Sequence, residues 1–372
     1  MMQMRRRALL RAGAATLAAP VALSAFTAGV AQAAPVRIQG VDLSSVPKGE
    51  ARGGVWRYAN GTAGDPVRIL QEGGANYVRL KVWVNSPDGY HGKPQILAMA
   101  RRAQALGMRT LIDFHYSDSW ADPGQQTKPA AWRNLGFNDL ERAVYDHTYD
   151  ILDGLRAQGT PAAMAQIGNE INGGMLWPDG RYTNWPQLGR LLNSGVRAAR
   201  AASPGVQVAL HLAEGGNNSG TVWWFDNALA QGVSFDVIAL SFYGYWHGTL
   251  DDLRFNLNDV SARYGKDVLV AETAYPFRID SKDSHPQIIT AREPVAGIPA
   301  IPEGQLQWMQ SITTVISRVP NNRGLGVFYW EPAWTAVPGN GWDPYDPNSG
   351  NAWENQALFD YDNRALPAAI WR

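Results

Sequence analysis

The chain of 372 residues has no cysteine, so disulfides and thiolate metal sites are excluded. It has no surplus of either charge: Lys+Arg and Asp+Glu each number 33. That balance leaves no electrostatic footprint for nucleic acid or an anionic membrane, and a neutral partner or substrate fits better. Beyond the first 34 residues, no stretch is long and apolar enough to cross a bilayer. No glycine-rich phosphate loop follows an early strand, which disfavours a doubly wound nucleotide-binding sheet. Internal repeats and low-complexity tracts are also absent from the mature part.

What is present suits a large soluble core, with 45% hydrophobic and 18% charged residues. The length fits one large barrel or two ordinary domains. The start, "MRRRALLRAGAATLAAPVALSAFTAGVAQAA", reads as an export signal over residues 1–33. It has a basic head with Arg5, Arg6 and Arg7, an Ala- and Gly-rich apolar stretch, and an A-x-A site at Ala31-Gln32-Ala33. The competing reading is a membrane anchor; the small residues and Pro20 favour cleavage. The expectation is a secreted protein with a single domain over residues 34–372, monomeric and free of the membrane after cleavage.

Eight short apolar runs follow, at 37–44, 76–84, 108–116, 162–170, 206–212, 236–243, 267–274 and 324–331. They read as strands buried on both faces. Helical periodicity separates them at 94–107, 138–159, 185–202, 249–265 and 303–319. The segment from Asn138 opens on a capping pattern, with Glu141 three residues later. Alternating strands and helices imply a parallel sheet, and eight repeats without a linker point to a (β/α)8 TIM barrel. The longest loops follow strands three, four, seven and eight, which places them on the catalytic face of a barrel.

Glu170 closes the fourth run and Glu272 lies near the end of the seventh. Two carboxyls facing each other across a barrel rim are what glycoside hydrolysis requires, one protonated as acid and one ionised to attack or to activate water. A rim salt bridge would explain either residue alone, but explains the pair less well. Other strand ends carry fitting groups. Arg79 can bind a carboxylate bidentately. Asn169 can hydrogen-bond a sugar 2-hydroxyl. Tyr243 can hold the nucleophile's oxygen, and Trp330 offers a flat floor for a pyranose. His115 opens a polar and aromatic loop. Of 15 tryptophans, Trp83, Trp120, Trp246, Trp330 and Trp334 fall at or near the rim, while Trp56, Trp308 and Trp371 read as core.

The segments "DFHYSDSWADPGQQTKPAAW", "QIGNEINGGMLWPDG", "SFYGYWHGTL", "VLVAETAYP", "GVFYWEPAW" and "NQALFDYDNRALPA" resemble arabinogalactan endo-β-1,4-galactanases of glycoside hydrolase family 53. The resemblance runs from about residue 38 to the C-terminus. It implies a barrel with catalytic glutamates on strands four and seven, acting with retention on β-1,4-galactan; the residues by themselves leave open a related barrel endo-glycanase on mannan, xylan or glucan, or a non-catalytic sugar-binding barrel. Carried over, Glu170 is the acid/base and Glu272 the nucleophile, with Asn169, Tyr243, Arg79 and His115 supporting them. The implied substrate contacts are Trp83, Asn85, Asp118, Trp120, His247, Trp330 and Glu331, joined by the rim aromatics Trp246 and Trp334. No cofactor is implied. Some bacterial members bind calcium after strand seven. Here that loop reads "RIDSKDSHPQ", in which Asp280, Asp283 and His285 match only in part. Calcium takes six to eight oxygen ligands, so a solvated loop is the preferred reading.

Overall fold

The computed structural model describes residues 36–371. The export-signal reading over residues 1–33 lies outside them. Eight parallel strands form the barrel: β1 (Ile38–Asp42), β2 (Tyr77–Val82), β3 (Arg109–Phe114), β4 (Met164–Ile167), β5 (Gln207–Leu212), β6 (Val237–Ser241), β7 (Asp267–Thr273) and β8 (Gly324–Tyr329). They pair in sequence order, and β8 closes on β1 through Ile38↔Gly326 and Val41↔Tyr329. Every expected run is a strand, trimmed at its ends. Around them lie α1 (Val46–Ala51), α2 (Pro66–Glu72), α3 (Lys93–Ala105), α4 (Phe137–Ala157), α5 (Trp185–Ala202), α6 (Asn218–Ala230), α7 (Leu250–Tyr264) and α8 (Pro302–Ser317).

Three helices, α1, α2 and α6, carry no periodic signal strong enough to be read from sequence. The first two are short. In α6, "NSGTVWWFDNALA", Asn217 caps Gly220 N and apolar residues fall on several faces. The capping reading at Asn138 is corrected. Helix α4 begins one residue earlier, after Gly136, with no side-chain cap. Asn138 and Glu141 bind Arg190 of α5 instead, at 2.9 and 2.5 Å, and so tie two neighbouring helices together. The reciprocal capping box occurs at Thr249 and Asp252 on α7.

Strand alternation sorts the interior. One apolar layer fills the space between strands and helices, from Val78 and Ile112 to Val270 and Val327. A second lines the inside of the barrel: Ile38, Tyr77, Leu111, Met164, Ala209, Val237, Leu269 and Phe328 among others. Gly40 lets Phe328 fill the centre, since a Cβ there would stand 2.2 Å from the ring. Tyr77 packs edge-on to Phe328 with ring centroids 5.9 Å apart. Two residues further up the same inward face, the side chains become polar: Arg79 after Tyr77, Asp113 after Leu111, Gln166 after Met164 and His211 after Ala209. The interior is therefore a packed floor beneath a polar top, as period-two geometry requires.

Candidate active site

The two glutamates reach the polar top by different backbone routes. After β4, Gly168 (φ 85°) and Glu170 (φ 46°) turn the chain through left-handed conformations. For a residue with a Cβ that costs of order 1–3 kcal/mol, a strain found mostly at functional sites. On β7, Ala271 lines the barrel interior, so strict alternation would turn Glu272 outward. A register shift against β6 pairs Ser241 with Glu272 and breaks that alternation.

Arg79 is the hub beneath them. Its guanidinium lies 2.8 Å from Asp42, 2.9 Å from Asp113 and 2.8 Å from Glu272. It also donates to Asn169 Oδ1 at 2.8 Å. Arg79, Asp42 and Asp113 are almost wholly buried, so their partners are one another and neighbouring polar groups, not water. Burial works against the Asp113 charge, but Arg79 and His115 outweigh it and hold this carboxyl below its usual range. His115 has one defined tautomer. Its Nδ1 accepts from Trp83 Nε1 and from Ala121 N, so Nε2 carries the hydrogen and donates to Asp113 at 3.0 Å.

The carboxyls are unlike. Glu272 faces Arg79 on one oxygen and accepts from the Tyr243 hydroxyl at 3.0 Å on the other. Burial, with the charge of Glu272 added, pushes Glu170 up to about 8. Burial also raises Glu272, to about 7, with Arg79 pulling the other way. Of the pair, Glu170 therefore keeps its proton longer and Glu272 ionises first. Tyr243 is raised well above 10 by burial and the neighbouring carboxylate, so its hydroxyl stays a donor.

A cleft of about 540 Å³ opens over this pair. Trp120, Trp246, Trp330 and Trp334 line it, as do His115, Asn169, His247, Arg79 and Tyr243. Trp330 meets Trp353 with ring centroids 4.7 Å apart and Trp334 at 5.6 Å, so its face is held by neighbouring rings. Lys81 places its ammonium 4.0 Å from the Trp120 ring centre, a cation–π contact that braces the wall.

Four residues carried over as substrate contacts do not line this cleft. Trp83 is buried behind His115. Asp118 accepts from the backbone of Asn85 at 2.9 Å and of Ala130 at 2.8 Å, so Asn85 and Asp118 brace a loop. Glu331 is buried, paired with Lys81 at 2.8 Å and bonded to Ser45 Oγ at 2.6 Å. In the loop after β7, Asp280 is engaged by Arg278, and Asp283 accepts from His285 N and Asn351 N, both at 2.8 Å. Among the described residues, no group of three or more His, Cys, Asp or Glu side chains is placed to hold a metal.

The sequence reading missed Asp42, Lys81, Asp113, Gln166, His211 and Ser241, all of which touch or brace the site. Alternation from Arg79, His115 and Tyr243 would have found Lys81, Asp113 and Ser241, since a polar residue on an inward parity of a buried strand needs a partner. Trp342 and Trp353, both lining the cleft, lie in the long loop after β8, where no period guides the eye.

A closed parallel barrel with an acid carboxyl after strand four and an arginine-held carboxylate on strand seven defines a barrel glycoside hydrolase. Residues 38–370 match the family described as Glycosyl hydrolase family 53, and the chain belongs to that family. It is 41% identical to the solved Ignisphaera aggregans GH53 catalytic domain, with a TM-score of 0.85 over 90% of this chain and 94% of that one. It is 37% identical to an arabinogalactan endo-β-1,4-galactanase of Humicola insolens, over 89% of this chain and 97% of the relative. A Bacillus subtilis endo-β-1,4-galactanase is 34% identical, over 89% of this chain and 84% of the relative.

Proposed function

We propose that this chain is an exported, monomeric endo-β-1,4-galactanase that cleaves the galactan side chains of pectin with retention and without a cofactor. The observation that carries the reading is the asymmetry of the carboxyls: Glu272 is held by Arg79 and Tyr243, while burial favours the acid form of Glu170. The export-signal reading of residues 1–33 supports export, and the names of the similar galactanases support the substrate.

The geometry translates into two displacements. A galactan chain lies in the cleft with one ring over Trp330. A Glu272 oxygen bonds to the anomeric carbon as the glycosidic C–O bond breaks. The bonding pair stays on the leaving oxygen, which takes the proton of Glu170. Arg79 and the Tyr243 hydroxyl hold the glutamate as it gives up its charge. Water then enters, Glu170 takes a proton from it, and its oxygen attacks the same carbon. Glu272 departs as carboxylate and Glu170 is an acid again. Two inversions restore the β-configuration.

The test is hydrolysis of a panel of purified galactan, arabinogalactan, mannan, xylan and glucan, with proton NMR on the first product. Galactan cut internally to a β-anomer is expected. Preference for another glycan overturns the substrate, an α-anomer overturns the mechanism, and no cleavage of any overturns the enzyme.

A further inference from the structure

Ser241 and His211 form a buried row that ends on Glu170, and hydrogen positions along it follow from its fixed end. Arg79 carries only donors. It lies 2.8 Å from Asn169 Oδ1, while Asn169 Nδ2 donates to Ala121 O at 2.8 Å. The amide cannot be turned over without setting an N–H against the guanidinium. His211 Nδ1 lies 2.9 Å from the same oxygen, so Nδ1 must carry a hydrogen. Burial, with Arg79 close by, holds His211 well below its ordinary value, so the ring is neutral with one hydrogen. Its Nε2 is then an acceptor, and the group that meets it is Ser241 Oγ at 2.9 Å. The single hydrogen of Ser241 is thus committed to His211. Toward Glu170 Oε1, 2.6 Å away, Ser241 has only lone pairs to offer.

Two other donors approach Nδ1. Gln166 Nε2 is 3.1 Å away, but its two hydrogens are claimed by Asp113 Oδ1 at 2.5 Å and by the oxygens Gly168 O and Asn169 Oδ1, both at 3.1 Å. The backbone N of Glu170, at 3.4 Å, is the longest contact of the set.

We infer that Ser241 and His211 are positioning residues that fix the acid role of Glu170, because the polarity Asn169←His211←Ser241 leaves Glu170 as the member that must donate. The inference rests on the reading of Glu170 as acid/base. While Glu170 is protonated, the Ser241 hydrogen points at His211 and not at the carboxyl. When Glu170 gives its proton to the leaving oxygen, the Ser241 hydrogen must turn to the new carboxylate, leaving His211 Nε2 without a donor. When Glu170 takes a proton from the attacking water, the hydroxyl turns back. The ionised form alone bears the broken Ser241–His211 bond, so His211, acting through Ser241, raises the affinity of Glu170 for its proton. The other groups facing Glu170 are Glu272 from β7, Asp122 from the loop after β3 and Arg79 from β2. Those facing His211 are Arg79, Asp113, His115 and His247.

Two measurements test this. Neutron diffraction on the deuterated wild-type protein should place deuterium on His211 Nδ1, on Ser241 Oγ toward His211, and on Glu170 Oε1. Deuterium on His211 Nε2 overturns the inference. The second is the pH profile of kcat/KM for His211→Phe, with melting used to confirm the fold. Its alkaline limb, set by Glu170, should move down by about one pH unit, the worth of the Ser241–His211 hydrogen bond that only the acid form keeps. A limb that stays in place or moves up overturns the inference, since a serine that accepts from His211 and donates to Glu170 predicts the upward shift. If galactan is not the substrate, the profile is taken on the glycan that is. If no glycan is cut, or His211→Phe does not fold, the neutron map still decides.

Discussion

Replacing Arg79 by methionine removes the one cation among three carboxylates. Asp42, Asp113 and Glu272 each lie within 2.9 Å of its guanidinium. Among the influences on Glu272, burial, Asp113 and Asp42 all raise its pKa, and Arg79 is the main opposing force. Two charges about 4 Å apart interact by roughly 4 kcal/mol at an effective dielectric of 20, or about three pKa units. Burial leaves Glu272 at about 7 even with the arginine in place, so without it this carboxyl should be almost wholly protonated at neutral pH. The fraction of enzyme with Glu272 ionised and Glu170 protonated should fall about 10³-fold at pH 7. Proton uptake by Asp113 returns part of that loss, so the expected fall in kcat/KM lies between tenfold and a thousandfold. Stability should drop as well, by about 3–5 kcal/mol, because the aspartates are left buried and unpaired. Arg79→Lys keeps the charge but not the planar fork, and should lose less of both. The assay is a pH profile of kcat/KM on galactan, with melting curves for each variant. A folded Arg79→Met protein within tenfold of wild type at pH 7, with its acid limb unmoved, would refute this electrostatic account.

Three further outcomes are expected. Glu170→Ala should fail on galactan yet turn over an aryl galactoside whose leaving group needs no proton, and azide should restore its second step; equal loss on both substrates removes Glu170 from the acid role. Trp330→Ala should lower kcat/KM by roughly 10²-fold, about 2.7 kcal/mol, and a much lower melting temperature with near-normal kinetics would show a packing residue instead. Glu170 and Glu272 bind protons more tightly in the folded chain than at their ordinary 4.5, at about 8 and about 7. Their contribution to stability is complete below 4.5 and is lost as pH rises through those values, so the melting temperature should fall across that window and Glu170→Gln should flatten its upper part.

The barrel is legible in the sequence because each strand is a short β-branched or aromatic run between helical periods, from "NYVRLKVWV" to "GLGVFYWE". Helix α6 is not, because its apolar residues crowd several faces. At the site, Glu170, Glu272, Arg79 and Tyr243 stand out as polar residues at the ends of apolar strands. The supporting row of His211 and Ser241 hides inside strands, where one polar letter amid hydrophobic ones looks like a tolerated exception. Only the register of neighbouring strands shows that these letters meet. Trp83 and Glu331 illustrate the opposite limit: their positions near the rim were readable, but whether they face the cleft or stand behind it depends on packing. The turn that seats Glu170 and the slip that seats Glu272 both break the local period.

Phe328 over Gly40, with Tyr77 against its edge, closes the barrel floor. The cleft over the two carboxyls is floored by this layer and is reached from the polar top, past the tryptophans that line it. On the proposed mechanism, sugar, water and the proton of Glu170 all meet on that one side. The water of the second displacement then arrives from the side by which the departing sugar leaves, and it brings back the proton given up in the first.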